Sequence, residues 1–417
     1  MLNKGEFKSF IFTGNKALCT GCGACAQGCP HNAICMTPDN EGFLYPKLDT
    51  EKCVGCGFCD MICPVTGKKT ENKEYVQHCY VATTSHKCYY EESATIGICT
   101  MLSEYVIKHK GYVFGVYLDE SNWNAYHIMV NDYKGVQMIR NSKYLQSSTK
   151  STFGQAKKKL IEGSVVLYIG TPCQIAGLKA YLRRDYPNLF TVDLICHGVF
   201  SPILLPLEIE YWETKFGGKI KNFRFRSKKE YRHVNGGMVN FDLEKDGKVK
   251  HIERFAGSSP TYRCYAYAGD GNQYNHRISC YTCHFRSQHR YGDITVGDPW
   301  FISDSFICNE RLVSSNPIRS LYSINSAKGE ELMSNVRSYM VEKEICLSDA
   351  FRQPALLEAN NKIPEKRNEL YTSLKKVNYG SLVENLLNCN LDFAHRTFKR
   401  AYRKSAIKRI MKKLLFR

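Results

Sequence analysis

The sequence predicts an α+β and α/β protein. A small N-terminal fold built on cysteines precedes an α/β domain with a largely parallel sheet and an added β-rich part, and a basic helical tail ends the chain. Three observations carry this. Residues 19–64 hold two near-copies of one cysteine pattern, helix and strand signals alternate from Ala94 to Ile195, and from Lys219 the pattern turns to strands. The expected boundaries are 1–70, 74–350 and 351–417.

The first pattern is Cys19-x2-Cys22-x2-Cys25-x3-Cys29-Pro30 and the second is Cys53-x2-Cys56-x2-Cys59-x3-Cys63-Pro64. This is the bacterial ferredoxin ligand run, doubled, in which the fourth cysteine of each run binds the other run's cluster. Cys19, Cys22, Cys25 and Cys63 are therefore expected on one 4Fe-4S cluster, and Cys53, Cys56, Cys59 and Cys29 on the other. Gly21, Gly23, Gly55 and Gly57 sit where the backbone must approach the inorganic core. Zinc also takes four thiolates, but its sites usually pair two distant C-x2-C units rather than repeat four cysteines in eleven residues. The reading implies electron transfer without saying between what.

The 417 residues suffice for two or more domains and a sizeable core. Hydrophobic residues make up 43% and aromatics 12%, which excludes a disordered chain. Lys4, Glu6 and Lys8 interrupt the opening, so no signal peptide is expected, and no apolar run reaches the length of a membrane span. A cytoplasmic protein with reduced thiols follows, which discounts a disulfide framework for its 20 cysteines. Net charge is +18, and ten uncompensated Lys and Arg lie from Arg396 onward. Nucleic acid is an unlikely partner, because no recognisable binding motif accompanies the charge.

Along the chain, residues 67–73 read as a polar linker. Ala94 to Lys110 reads as a helix, Tyr112 to Tyr117 and Ala125 to Val130 as strands, and Phe153 to Ile161 as a helix stopped by Gly163. Val165 to Ile169 is a buried strand that runs through Gly170-Thr171-Pro172-Cys173-Gln174 into a helix ending at Leu182. Phe190 to Ile195 is the next strand, followed by Cys196-His197-Gly198. Such alternation argues an α/β core. Ser201 to Phe216 is expected helical despite Pro206. Strands follow at Asn222 to Arg226, Met238 to Leu243, Lys248 to Arg254, Asp293 to Asp298 and Leu321 to Ile324, then a helix from Lys328 to Met340.

Cys173 and Cys196 each follow the end of an expected strand, where a parallel sheet lines its ligand crevice. Cys280 and Cys283 form a further C-x2-C pair. Taken singly, each reads as a small buried side chain. Four converging cysteines would instead suit a third iron-sulfur cluster or a zinc ion.

The sequence resembles the coenzyme F-420 hydrogenase/dehydrogenase beta-subunit family, in the form preceded by a two-cluster ferredoxin domain. The matching stretches are SKYLQS (Ser142 to Ser147), GTPCQIAGLKAYL (Gly170 to Leu182), VDLICHGVFSP (Val192 to Pro202), SCYTCHFRSQHRYGDITVGDPW (Ser279 to Trp300) and NSAKGEEL (Asn325 to Leu332). The resemblance implies a third 4Fe-4S cluster on Cys173, Cys196, Cys280 and Cys283. It implies FAD contacts at Ser142, Lys143, Gln146, Ser147, Gly170 and Thr171, and it admits coenzyme F-420 as a further cofactor. Asp293, Thr295, Gly297 and Asp298 match the family's closing motif, whose plainest role is a strand-end turn. Two departures stand out. Ser93-Ala94-Thr95-Ile96-Gly97 replaces the family's Ser-Ser-Gly-Gly, which puts a bulky Ile96 where glycine would admit a cofactor, and Pro299 replaces an aromatic.

The leading function is an iron-sulfur flavoprotein oxidoreductase. It would pass electrons between a reduced partner, ferredoxin or a deazaflavin, and an organic substrate, and by analogy with many family members it would serve polysaccharide assembly. The alternative is a non-catalytic electron carrier. No G-x-G-x-x-G fingerprint follows a strand, which weakens a nicotinamide partner. His197 is the candidate proton donor, with a structural loop histidine as the competing role. Ile407, Ile410, Met411, Leu414 and Leu415 fall on one helix face opposite Lys408, Arg409, Lys412 and Lys413. That is the pattern of a weak, reversible contact with an anionic membrane surface, or of a helix packed on the protein's own core.

Overall fold

The computed structural model describes residues 8–67, 75–227, 237–300, 302, 318–350, 352 and 362–415. The expected linker lies almost wholly outside them, as do the side chains of the expected amphipathic stripe. Two compact units divide the chain. One combines residues 1–202 with 277–362, the other 203–276 with 363–417.

The first unit opens on the cysteine-rich segment. Helix α1 (Ala24–Gly28) precedes the hairpin β1 (Ile34–Pro38) and β2 (Leu44–Leu48), which pairs Ile34 with Leu48 and Pro38 with Leu44. The α/β part follows: β3 (His78–Thr83), α2 (Ile98–Lys108), β4 (Tyr112–Asp119), β5 (Asn124–Val130), α3 (Thr152–Ile161), β6 (Val166–Gly170), α4 (Pro172–Leu182) and β7 (Leu189–Leu194). In the second unit, α5 (Leu204–Phe216) leads into β8 (Lys219–Arg224), β9 (Met238–Lys245) and β10 (Lys248–Phe255), then α6 (Pro260–Ala266). The first unit resumes with β11 (Ile294–Gly297), β12 (Ser320–Ile324), α7 (Ala327–Ser334) and β13 (Val341–Ile345). Helices α8 (Tyr379–Leu386) and α9 (Leu391–Leu415) complete the second.

Eight strands form the large sheet in the order β13-β3-β12-β11-β7-β6-β4-β5. Its centre is parallel: β4 with β6, β6 with β7, and β7 with β11. Both flanks are antiparallel, so the sheet is mixed rather than uniformly parallel. The helix–strand alternation read from sequence corresponds to the central strands, where helical crossovers make neighbours parallel.

Both faces of this sheet are buried, and strand alternation decides which residue goes where. Val113, Leu167, Val192, Ile294, Tyr322 and Ile324 face one core with Met101 and Leu102 of α2 and Leu332 of α7. Phe114, Val166, Tyr168 and Leu189 face the other, with Phe153 and Leu160 of α3 and Ile175 and Leu178 of α4. Cys22 and Ala24 belong to that second core. These two residues of the ferredoxin segment thus pack into the first unit's interior.

In the second unit, β8, β9 and β10 form an antiparallel sheet with β9 in the middle. Pro206 is the third residue of α5, where backbone N–H groups lack intrahelical partners anyway, so the helix tolerates it. The start of α9 is anchored within this unit. Asp392 accepts from Arg254 at 2.8 Å and pairs with Lys215 at 2.7 Å, and Phe398 stacks on Phe255 with ring centres 4.6 Å apart. The expected helix over 328–340 is shorter: α7 stops at Ser334 and a 3-10 turn covers Arg337–Tyr339.

Candidate functional site

The doubled cysteine pattern folds into two adjoining cavities. Cys19, Cys22, Cys25 and Cys63 line the first, together with Thr20, Gly21 and Pro64. Cys29, Cys53, Cys56 and Cys59 line the second, and Cys59 reaches the first as well. The structure thus brings Cys63 to the first run and Cys29 to the second. The two halves match locally: Gly23 and Gly57 each enter a short helix in the left-handed conformation, at φ 81° and 70°. A side chain would be strained there.

The donor set suits iron. Burial pushes the Cys19, Cys22 and Cys25 thiols above their ordinary range, and Cys63 adds repulsion to each. Burial likewise raises Cys59 to about 11, with Cys56 adding. Several thiolates crowded in a low-dielectric site need a compensating metal charge, which neutral packing would not supply.

A second group of cysteines assembles nearby. Cys173 lies in the first turn of α4, Cys196 follows β7, and Cys280 belongs to a short helix (Ile278–Tyr281) that Cys283 closely follows. Burial is the main cause of each upward shift, and mutual repulsion shows that the sulfurs are close. Cys196 is pushed up further by Cys280, Cys173 and Cys283. Cys280 reaches about 12 with Cys283 and Cys173 beside it, and Cys173 reaches about 11 with Cys283. Among the described residues no group of three or more converges tightly enough to hold a single metal ion.

The two groups meet across α4. A Cβ placed on Gly177 would lie 2.9 Å from Cys22 Cβ and 3.0 Å from its Sγ. Cys22 also feels the charge of Cys173. Cys22, which lines the first ferredoxin cavity, therefore packs on the helix whose first turn holds Cys173.

Residues 18–66 match the model of the 4Fe-4S dicluster domain, and residues 163–345 match that of the C terminus of the beta subunit of coenzyme F-420 hydrogenase/dehydrogenase. No curated protein matches the chain. Among solved structures, one of the F-420-reducing NiFe hydrogenase complex from Methanosarcina barkeri aligns at 18% identity, covering 77% of this chain and 91% of that one, with a TM-score of 0.39.

The beta-subunit motifs have definite places. In the closing motif, Asp293 accepts from the Thr191 amide at 2.8 Å, the Thr191 hydroxyl at 2.6 Å and the Ser326 hydroxyl at 2.7 Å. Thr295 donates to Asp193 at 2.5 Å. This polar network ties β7, β11 and α7 together inside the fold. Asp298 lies in the loop after β11, close enough to His197 to oppose the lowering of its pKa.

The residues expected on FAD bond within the protein. Gln146, buried, accepts from the Leu44 amide and from Arg277, each at 3.1 Å, and donates to the Thr20 carbonyl at 3.4 Å. Ser147 contacts His127 at 3.2 Å and accepts from Gln174 at 3.0 Å. The Thr171 amide and hydroxyl both donate to Gln174, which secures the start of α4. Lys143 donates to the Ile139 and Arg140 carbonyls, the Ser142 amide donates to Asn141, and Gly170 is a buried end of β6. Thr149, just beyond, donates to the Cys22 carbonyl at 2.9 Å. This stretch docks the ferredoxin segment. Ile96 fills the main core, so its bulk is spent on packing.

His197 is exposed in the loop after Cys196. Crowding lowers its pKa, Arg286 adds to that, and the Arg286 guanidinium donates to its carbonyl at 3.4 Å. The residue that sequence reasoning missed is Arg277, which stands between the two cysteine groups. Its only sequence signal was its position three residues before Cys280.

Proposed function

We propose that this protein is an iron-sulfur electron-transfer oxidoreductase in which three cysteine sets act in series. Cys19, Cys22, Cys25 and Cys63 would hold one 4Fe-4S cluster, Cys29, Cys53, Cys56 and Cys59 a second, and Cys173, Cys196, Cys280 and Cys283 a third. Each cluster, when bound, supplies a one-electron store. The observation that carries the reading is the Cys22–Gly177 contact, which puts one ferredoxin ligand against the helix whose first turn holds Cys173. The protein's residues would hold the sulfurs, and Cys22, buried, packs one group against the helix that carries Cys173.

The finer form of the proposal adds FAD as the converter between single electrons and a pair, an organic acceptor, and a ferredoxin or deazaflavin donor. The retained Gly170 to Gln174 turn supports it, since a helix start suits a phosphate. The internal hydrogen bonds of Gln146, Ser147 and Thr171 do not, so no step is derived through a flavin, and His197 as proton donor rests on the same form. A role in polysaccharide assembly and a weak membrane-surface contact belong with it too. No helix among the described residues is long and apolar enough to cross a membrane.

Anaerobic purification, followed by an absorption spectrum and an iron count, tests both levels. A broad blue-region shoulder with about twelve irons per chain, four for each cluster, supports three clusters. A saturated count near eight removes the third. Resolved flavin bands, with cofactor released on heating, support the enzyme. Failure to take up added FAD leaves an electron-carrier protein.

A further inference from the structure

Two arginines are fully buried in the first unit, and they differ in what neutralises them. Arg290 has the carboxylate of Asp193 at 3.2 Å. Arg277 pairs with no carboxylate among the described residues. Its Nε donates to the Cys19 carbonyl at 2.8 Å, its Nη1 to Gln146 at 3.1 Å and its Nη2 to Cys19 Sγ at 3.5 Å. Its guanidinium lies 3.9 Å from the ring centre of Tyr45 and 5.7 Å from that of Phe43. Asp39, on the same hairpin, is paired with Lys16 at 2.5 Å.

An arginine in a protein cannot shed its proton, and a buried cation without a counter-charge is strongly unfavourable. Ring faces and neutral carbonyls ease that cost but do not cancel the charge. Of the groups Arg277 touches, the sulfur of Cys19 is the one that becomes an anion when it binds iron. The backbone ties Arg277 to the later cysteines as well. The Arg277 amide donates to Val199 at 3.0 Å, and its carbonyl accepts from the Cys280 amide at 2.9 Å, so the turn that carries Cys280 also delivers the cation.

We propose that Arg277 is the resident counter-cation of the cluster on Cys19, Cys22, Cys25 and Cys63, and that it holds that cluster's reduction potential above what four thiolates alone would allow. The proposal rests on the reading that these cysteines hold a cluster. Four thiolates around a cubane carry net negative charge, and one electron from a low-potential donor adds another. A fixed positive charge and an N–H at sulfur stabilise the reduced form more than the oxidised one. No bond breaks and no proton moves, because Arg277 is already charged. Tyr45 and Phe43 shield the guanidinium, and in such surroundings a charge acts with little screening. Gln146 holds one arm of the fork. Arg277 is thus a positioning and tuning residue on the Cys19 side of that cluster.

An electron-resonance redox titration of the full chain tests this, after anaerobic reconstitution with iron and sulfide, with iron counted for every variant. Arg277→Gln is expected to move one midpoint to lower potential and leave the others in place at unchanged iron. Arg277→Lys, which keeps the charge, is expected to stay near wild type. Gln146→Glu sets a carboxylate against the fork and is expected to lower the same midpoint with Arg277 intact, so it decides the matter if Arg277→Gln fails to fold or loses iron. The proposal is overturned if Gln146→Glu at full iron leaves every midpoint unmoved, or if Arg277→Lys shifts the midpoint as far as Arg277→Gln. Failure of the underlying reading looks different: Cys22→Ala would then lose no iron.

Discussion

Asp193 of β7 and Arg290, ninety-seven residues later, form an ion pair from which water is excluded, at 0% and 1% side-chain exposure. One carboxylate oxygen of Asp193 takes Arg290 and Thr295, and the other takes the Tyr291 and Gly292 amides at 3.1 Å each. Two sequence motifs, VDLICHG and RYGDITVGD, are therefore the two sides of one joint. That joint sits directly beneath the loop that carries Cys196. Asp193→Asn removes the one carboxylate charge from this buried pair and is expected to destabilise the protein by about 3–5 kcal/mol. Chemical denaturation of anaerobic protein checks this, and unchanged stability would show that the joint carries little.

Gly177 is predicted to be irreplaceable for a steric reason. In a helix, Gly→Ala ordinarily stabilises by about 1 kcal/mol. Here the new methyl would meet Cys22 at 2.9 Å, and forcing a tight core apart costs about 1–3 kcal/mol. Gly177→Ala is expected to reverse the usual sign and to loosen the cluster ligated by Cys22. Thermal melts and iron counts read both effects.

Removing a single ligand separates the cysteine groups. Cys283→Ala is expected to lower iron from about twelve to about eight per chain and leave the ferredoxin signals intact. Cys22→Ala is expected to damage a ferredoxin cluster and spare the third. Equal iron in wild type and Cys283→Ala would exclude a cluster at that site.

His127 makes stability depend on pH. Burial lowers its pKa to about 4 from an ordinary value near 6.5, although its contact with the Ile169 carbonyl at 3.2 Å pulls the other way. The unfolded chain binds the proton more readily, so this contribution is whole above pH 6.5 and is lost as pH falls toward 4. The loss is on the order of a few kcal/mol, since a tenfold change in proton affinity is worth about 1.4 kcal/mol. Denaturation midpoints measured across that range are expected to fall, and His127→Gln is expected to flatten the slope.

What the sequence determined by itself was whatever depends on neighbours in the chain. Ligand spacing within eleven residues dictates which thiols can ring a cubane, and alternation within a strand dictates which face it buries. So the cysteine runs and the strands from Tyr112 to Leu194 were legible, along with β9, β10 and β12. Tertiary structure decided everything that rests on distant pairing. β3 went unread because it lies between β12 and β13, more than 230 residues away along the chain, and the same pairings make the sheet's flank antiparallel. Residues 203–276 join the C-terminal helices through contacts such as Phe255 with Phe398, which no local pattern announces. Gln146 matched a cofactor-binding stretch, yet in the fold it docks a hairpin from a hundred residues upstream. Arg277 is one basic residue among 58, and only burial beside Cys19, with no carboxylate partner among the described residues, singles it out. The reason is common to all four: local geometry is encoded by spacing, whereas the environment of a charge is set by whatever the rest of the chain brings to it.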